Sequence, residues 1–284
     1  MMTWRLRARR PPPPRLHPGH GLDRGRVVGV TGPPGAPGRT FTALNLAATC
    51  AARGVTTLLL DADPVLGTVA AHLDLPPERS AWFLAHEAVL QSLDDQLIAR
   101  HLHEVGPLQV LPGIHTPGEP GQCTPQFLVR LLDRLVARFQ LVVVDLGALV
   151  GPGPVALALT CDTVIWTVVA TEVGAEAFDR TIHGVGGLAI ATRPAGVVLN
   201  RTGRTSLPGA AADIERQYRL PVLARIPEDR RRGLRAERAH LPAVVQGAFS
   251  RPFTLLADGV LRPPTAAAGR RDDRGRSGAV GAPG

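Results

Sequence analysis

Three aspartates and one glycine-rich turn are the residues of this sequence best placed to do chemistry. Asp61 and Asp63 follow the apolar run Leu58-Leu59-Leu60, and Asp145 follows Val142-Val143-Val144. A carboxylate that ends such a run lies at the carboxyl end of a buried strand, the edge where open α/β sheets bind ligands. Asp also ends strands as an ordinary turn residue, so each one alone says little. The first apolar run, residues 27–31, leads directly into Gly32-Pro33-Pro34-Gly35-Ala36-Pro37-Gly38-Arg39-Thr40. A turn of this kind aims backbone N–H groups and a helix N-terminus at one point, and that arrangement holds phosphate. Arg39 adds a cation and Thr40 a hydroxyl. Gly38-Arg39-Thr40 stands where a phosphate loop places Gly-Lys-Thr, although the position five before Gly38 is Pro33 instead of glycine. A plain strand-to-helix turn is also rich in Gly and Pro, and the loop by itself leaves that alternative open.

The elements that must position these groups follow from hydrophobic patterning. Short apolar runs at 27–31, 56–61, 108–111, 141–145, 163–169, 196–200 and 222–226 read as strands, several of them covered on both faces. Helical stretches lie between them at 39–53, 125–138, 174–187 and 207–218. This order predicts an α/β fold: a single doubly wound, mostly parallel sheet with helices on both faces and right-handed connections.

Of 284 residues, 44% are hydrophobic and 20% charged, enough to build a core. All 32 basic residues are arginine, and the net charge of +8 is concentrated at the ends. Residues 1–26 hold seven Arg against one Asp, and residues 262–284 hold five Arg against two Asp. The segments 1–25 and 262–284, rich in Arg with Pro or Gly, are expected to be disordered tails around a domain at 26–261. Charge alone lets such tails contact DNA or an anionic membrane non-specifically.

Three scattered cysteines, Cys50, Cys123 and Cys161, suit free thiols in a reducing compartment. With no signal peptide and no long apolar span, a cytoplasmic location is expected. His101 and His103 lack a third ligand nearby and read as surface residues of an amphipathic stretch. Arg230-Arg231-Arg232 reads as a solvated helix start.

Taken in order, the motifs resemble the MinD/ParA group of P-loop ATPases. That family's loop, Lys-Gly-Gly-Val-Gly-Lys-Thr, falls on Pro34-Gly35-Ala36-Pro37-Gly38-Arg39-Thr40. The resemblance therefore implies ATP contacts at Gly35, Ala36, Gly38, Arg39, Thr40 and Phe41. Asp61-x-Asp63-Pro64 looks like the second-strand motif, in which Asp63 positions the attacking water and Asp61 sits near magnesium. With Arg39 these are the implied catalytic groups. Asp145 matches the Walker B aspartate, giving Thr40, Asp61 and Asp145 as the implied Mg2+ set. Val198-Leu199-Asn200-Arg201 looks like the strand end whose Asn reads adenine, and Ile226-Pro227-Glu228-Asp229 like the loop beside the base. Asn200, Arg201, Pro227 and Glu228 follow as base contacts. Thr171-Glu172-Val173 resembles the family's Thr-Pro-Glu step. The similarity spans residues 26–261.

Within the group the closest flavour is the CpaE/TadZ-like branch of pilus assembly and secretion, through Trp82-Phe83-Leu84 and Leu108-Gln109-Val110-Leu111-Pro112-Gly113. The branch implies a homodimer and a protein partner in a membrane-associated machine, reached from the inner face of the membrane. A cell-division MinD fits less well, because the carboxyl terminus has no amphipathic membrane helix. An iron–sulfur cluster is not expected, since Cys161 lies far past Asp145.

The loop departs from the family at both lysines. Arg39 keeps the charge with a bulkier planar head, and Pro34 removes the cation that reaches the partner's nucleotide. Pro33, Pro34 and Pro37 also lack N–H donors. A lost hydrogen bond to a charged group costs roughly 1.5–3 kcal/mol, or about ten- to a hundredfold in affinity. Weak hydrolysis is expected, and a non-hydrolysing scaffold of the same fold is the alternative.

Overall fold

The structure is a computed structural model that describes residues 24–262 except 36, 64, 66, 114–120, 185–194 and 205. Its eight strands are β1 (Arg26–Gly32), β2 (Thr57–Asp61), β3 (His103–Val105), β4 (Leu108–Leu111), β5 (Leu141–Ala148), β6 (Thr163–Val169), β7 (Ala195–Thr202) and β8 (Val222–Pro227). They form one sheet in the order β3-β4-β2-β5-β1-β6-β7-β8. Every pairing is parallel except β3 with β4.

Side chains alternate across the strands, and both faces of the central strands are buried. Leu58, Leu60, Val142, Val144 and Trp166 belong to one core, while Val28, Val30, Leu59, Val143 and Ile165 belong to the other. The first is covered by α3 (Ala81–Leu90), α5 (Pro125–Leu135), α6 (Pro152–Ala158) and α7 (Glu172–His183). The second is covered by α1 (Arg39–Ala52) and by a late helix, Ser250–Leu261. The remaining described helices are α2 (Val69–Leu73), α4 (Asp95–His101), α8 (Ala210–Tyr218) and α9 (Arg230–Arg238), which makes Ser250–Leu261 α10. The doubly wound sheet expected from the apolar runs is the one observed.

Helix α1 matters most for the site. Its sequence, Arg-Thr-Phe-Thr-Ala-Leu-Asn-Leu-Ala-Ala-Thr-Cys-Ala-Ala, is dominated by small residues, and nine positions are buried. Small side chains let the helix lie close over β5 and β1, so its N-terminus is held at the carboxyl edge of the sheet. Gly54, at φ +83°, ends the helix in the left-handed conformation glycine adopts freely. At the far end of the second core layer, Arg26 Nη1 bonds the carbonyls of Val260 and Arg262 and so fastens the end of α10 to β1.

Two expectations change. His101 and His103 are buried, at 3% and 5% exposure, where the sequence pattern suggests a surface. His103 lies in β3, a three-residue antiparallel edge strand too short to register as an apolar run, and its Nε2 is 2.7 Å from the Arg79 carbonyl. His101 ends α4 with Nε2 3.2 Å from Glu87 Oε1. The two tails lie outside the described residues apart from Arg24, Gly25 and Arg262. Cys50, Cys123 and Cys161 are buried, and burial pushes the first two up to about 12, which keeps them protonated. Among the described residues no helix is long and apolar enough to cross a membrane.

Candidate functional site

The site lies where β1, β2 and β5 end together. In register, Asp61 on β2 sits beside Asp145 on β5, and Val30 of β1 is the neighbour of Asp145 on the other side. The loop between β1 and α1 closes over this edge. A Cβ on Gly32 would collide with the Thr167 carbonyl and approach Pro37 Cγ to 2.9 Å, so only glycine lets the chain turn there. Gly38 caps α1 at φ +91°, and a Cβ on it would collide with Asn200 Nδ2. The Asn200 amide in turn donates to the Pro37 carbonyl at 2.7 Å and holds the loop from below.

Side chains converge at the start of α1. Thr40 Oγ1 donates to Asp145 Oδ2 at 2.6 Å, and Thr68 Oγ1 donates to Thr40 Oγ1 at 3.2 Å. The other Asp145 oxygen accepts from the Gly147 amide at 3.2 Å. Asp61 is held in the same way: Oδ2 accepts from Val69 N at 3.1 Å and Oδ1 from Asp63 N at 3.2 Å. Asp63 Oδ1 accepts from Val65 N at 2.9 Å, and a Cβ on Gly147 would collide with Asp63 Oδ2. Gly147 itself, at φ +63°, is pinned through its carbonyl by Thr31 Oγ1 at 2.9 Å.

Asp61 and Asp145 are each 1% exposed. Burial raises Asp61 well above the usual carboxylate range, and the Asp145 charge adds to it. Burial raises Asp145 as well, against the Thr40 and Gly147 hydrogen bonds and the Arg39 charge. Two buried carboxylates on adjacent strands form a site of negative charge that favours a bound cation or a proton.

Arg39, expected to reach phosphate, donates from Nη1 to the Pro33 carbonyl at 2.6 Å and so spans its own loop. Gly35 is exposed at φ +98°, with nothing near a Cβ built on it. Ala36 lies outside the described residues. The Phe41 ring turns away from the loop and packs on Phe249 and Phe253, at centroid distances of 5.4 and 5.9 Å, so only its backbone belongs to the first turn of α1.

The residues expected beside the base lie at the ends of β7 and β8. Thr202 is paired with Pro227, and Glu228 N donates to the Thr202 carbonyl at 2.9 Å. Pro227, Glu228 and Arg201 are exposed there. Asn200 is not: it is 6% exposed, with Nδ2 on Pro37 and Oδ1 accepting from Arg201 N at 2.9 Å. The bonds to Pro37 and from Arg201 leave Asn200 one N–H and one carbonyl lone pair for a base. Thr68, Thr31 and Gly147 are absent from the sequence reading of the site. Single threonines carry no spacing signal, and they become visible only when the strand ends meet.

A family model for the CobQ/CobB/MinD/ParA nucleotide-binding domain matches residues 28–242. The chain belongs to this family. No curated protein matches it. Among solved structures, the cell division ATPase MinD of Pyrococcus furiosus aligns at TM-score 0.69 and 23% identity, covering 83% of this chain and 98% of that one. The septum site-determining protein MinD of Pyrococcus horikoshii, solved in complex with Mg-ADP, aligns at 0.68 and 21% identity, covering 84% and 96%. A ParA family ATPase from Chlorobium tepidum aligns at 0.70 and 17% identity, covering 85% and 99%. Identities this low speak for the shared fold, and the MinD/ParA-like P-loop architecture is that fold.

The buried carboxylates give a pH signature. Because folding raises the Asp61 pKa, the folded protein holds a proton that the unfolded chain releases. The Asp61 contribution to stability is thus present at low pH and lost as pH rises through the raised folded value. Thermal melts of the nucleotide-free protein should show stability falling with pH across that window, and Asp61→Asn should flatten the slope. Parallel slopes for the two proteins would contradict the raised Asp61 pKa.

Proposed function

We propose that the chain is a magnesium-dependent ATP-binding switch protein that hydrolyses ATP slowly and positions or regulates a cellular assembly. The observation that carries this reading is the Thr40 hydroxyl on the Asp145 carboxylate at 2.6 Å, at the N-terminus of the helix that follows the glycine-rich loop. The donor set fits Mg2+, a hard cation that takes oxygen ligands, with Thr40 in direct reach and Asp145 and Asp61 behind it. A bound Mg2+ would neutralise charge on the phosphate oxygens. The chain's own parts would do the rest. Gly38, Arg39 and Thr40 offer the N–H groups of the first turn of α1, and Gly35 leaves room for a phosphate to approach. Asp63, held against Gly147, would orient a water. Arg201, Pro227 and Glu228 would flank the base.

A protein contact at the mouth is supported by three exposed valines on the surrounding segments, Val65, Val150 and Val173, at 65%, 63% and 77% exposure. They follow β2, β5 and β6 and suit a second copy of the chain or a partner. We read the assembly as a pilus or secretion apparatus, on the resemblance of residues 81–113 to the CpaE/TadZ-like branch, or as a partitioning apparatus, on the resemblance to the MinD/ParA group.

A second reading, a scaffold that binds nucleotide without turnover, is favoured by the state of the loop. Arg39 is engaged with Pro33, and Pro34 supplies no cation to a partner's phosphates.

Arg39→Ala removes the only cationic side chain of the loop and should weaken Mg-dependent ATP binding by about tenfold or more in a calorimetric titration. Unchanged affinity would remove the phosphate-site assignment.

Turnover separates the two readings. A water-positioning group acts mainly in the transition state, so Asp63→Ala should keep ATP affinity and lose phosphate release in a steady-state assay. Wild-type release no faster than that of Asp63→Ala would favour the scaffold.

A further inference from the structure

Hydrogen bonds and one close packing contact at the strand ends connect into a ring. Starting from the α1 N-terminus, Thr40 binds Asp145, and Asp145 binds the amide of Gly147. Gly147 lies against Asp63, whose amide binds Asp61. Asp61 accepts from the amide of Val69, the first residue of α2. Among the described residues, the Thr68 hydroxyl on the Thr40 hydroxyl, at 3.2 Å, returns from this aspartate loop to the phosphate loop.

The chemistry of that contact is restrictive. A hydroxyl has one proton and two lone pairs. Thr40 gives its proton to Asp145 and accepts the Thr68 proton on one lone pair, which leaves one lone pair in a fixed direction. Thr68 is half-buried and stands at the N-cap of α2, yet its side chain makes no capping hydrogen bond to that helix. Its hydroxyl therefore serves Thr40 and not α2.

We infer that Thr68 is a positioning residue for the cation: its hydroxyl fixes the free lone pair of Thr40 toward Mg2+ and joins the aspartate loop to the phosphate loop, so that both respond when the cation binds. The inference rests on the proposed nucleotide site and adds to it a residue that neither the family match nor the loop motif assigns. The Thr68 hydroxyl meets the site through Thr40, so its effect is expected in the magnesium-dependent part of binding.

The test is a calorimetric titration of ATP into wild type, Thr68→Val and Thr68→Ser, with Mg2+ and with chelator. Valine keeps the shape and removes the hydroxyl, and serine restores it. The expected result is equal affinity for all three in chelator, a gain on adding Mg2+ for wild type and Thr68→Ser, and a gain roughly three- to tenfold smaller for Thr68→Val. Amide exchange gives a second readout: Mg-ATP should protect Val69 in wild type and Thr68→Ser but not in Thr68→Val. A full magnesium gain in Thr68→Val overturns the inference. So does an equal loss with and without Mg2+, which would mark Thr68 as structural only. Absence of ATP binding to the wild type under both conditions would instead overturn the nucleotide-site reading, and this inference with it.

Discussion

Two carboxylates buried side by side set the terms for the rest of the molecule. Asp61 and Asp145 are register partners on β2 and β5, each almost without solvent. Burying a charge costs several kcal/mol unless it is paired or hydrogen-bonded, and two like charges add repulsion. The fold compensates with donors drawn from four separate segments: the Thr40 hydroxyl and the amides of Gly147, Val69 and Asp63. None of these donors is a cation in contact with the pair, so the compensation is partial. An arrangement of this kind is costly as a piece of structure and reasonable as a cation site, which is why the pair argues for function.

The same constraint explains the glycines and threonines around the pair. Gly147 must adopt a positive φ to place its amide on Asp145, and its missing side chain makes room for Asp63. Thr31 then holds the Gly147 carbonyl, and Thr167 Oγ1 donates to the Thr31 carbonyl at 3.0 Å, which extends the network from β5 across β1 to β6. Stiffness at the strand ends passes to the loop through Gly32, packed against Thr167, and through Asn200 beneath Pro37.

Much of this was legible before the fold was known. Strands covered on both faces read as continuous apolar runs, and a doubly wound topology follows from their alternation with helices, so Asp61 and Asp145 could be placed on one edge. Thr40 was legible because a hydroxyl after Gly-Arg has a fixed position at a helix start. Less could be read where the signal is tertiary. β3 is three residues long and owes its place to pairing with β4, and His101 and His103 are buried because α3, α4 and β3 close around them. Thr68 lies between two loops that meet only in three dimensions. The orientations of Arg39 and Asn200 depend on hydrogen bonds to loop carbonyls and, for Asn200, on the Arg201 amide, and no periodicity encodes those.

The loop itself combines retained and altered parts: oxygen donors suited to a cation remain, while prolines replace N–H groups and arginine replaces lysine. In this account the cation end of the site is the stronger half, and magnesium should govern nucleotide affinity. The most direct measurement is a calorimetric titration of ATP into the wild type and Asp145→Asn, each with Mg2+ and with chelator. The account predicts that Mg2+ tightens wild-type binding by about tenfold or more and leaves Asp145→Asn nearly unchanged. Wild-type affinity indifferent to Mg2+, or a full magnesium gain in Asp145→Asn, would contradict it.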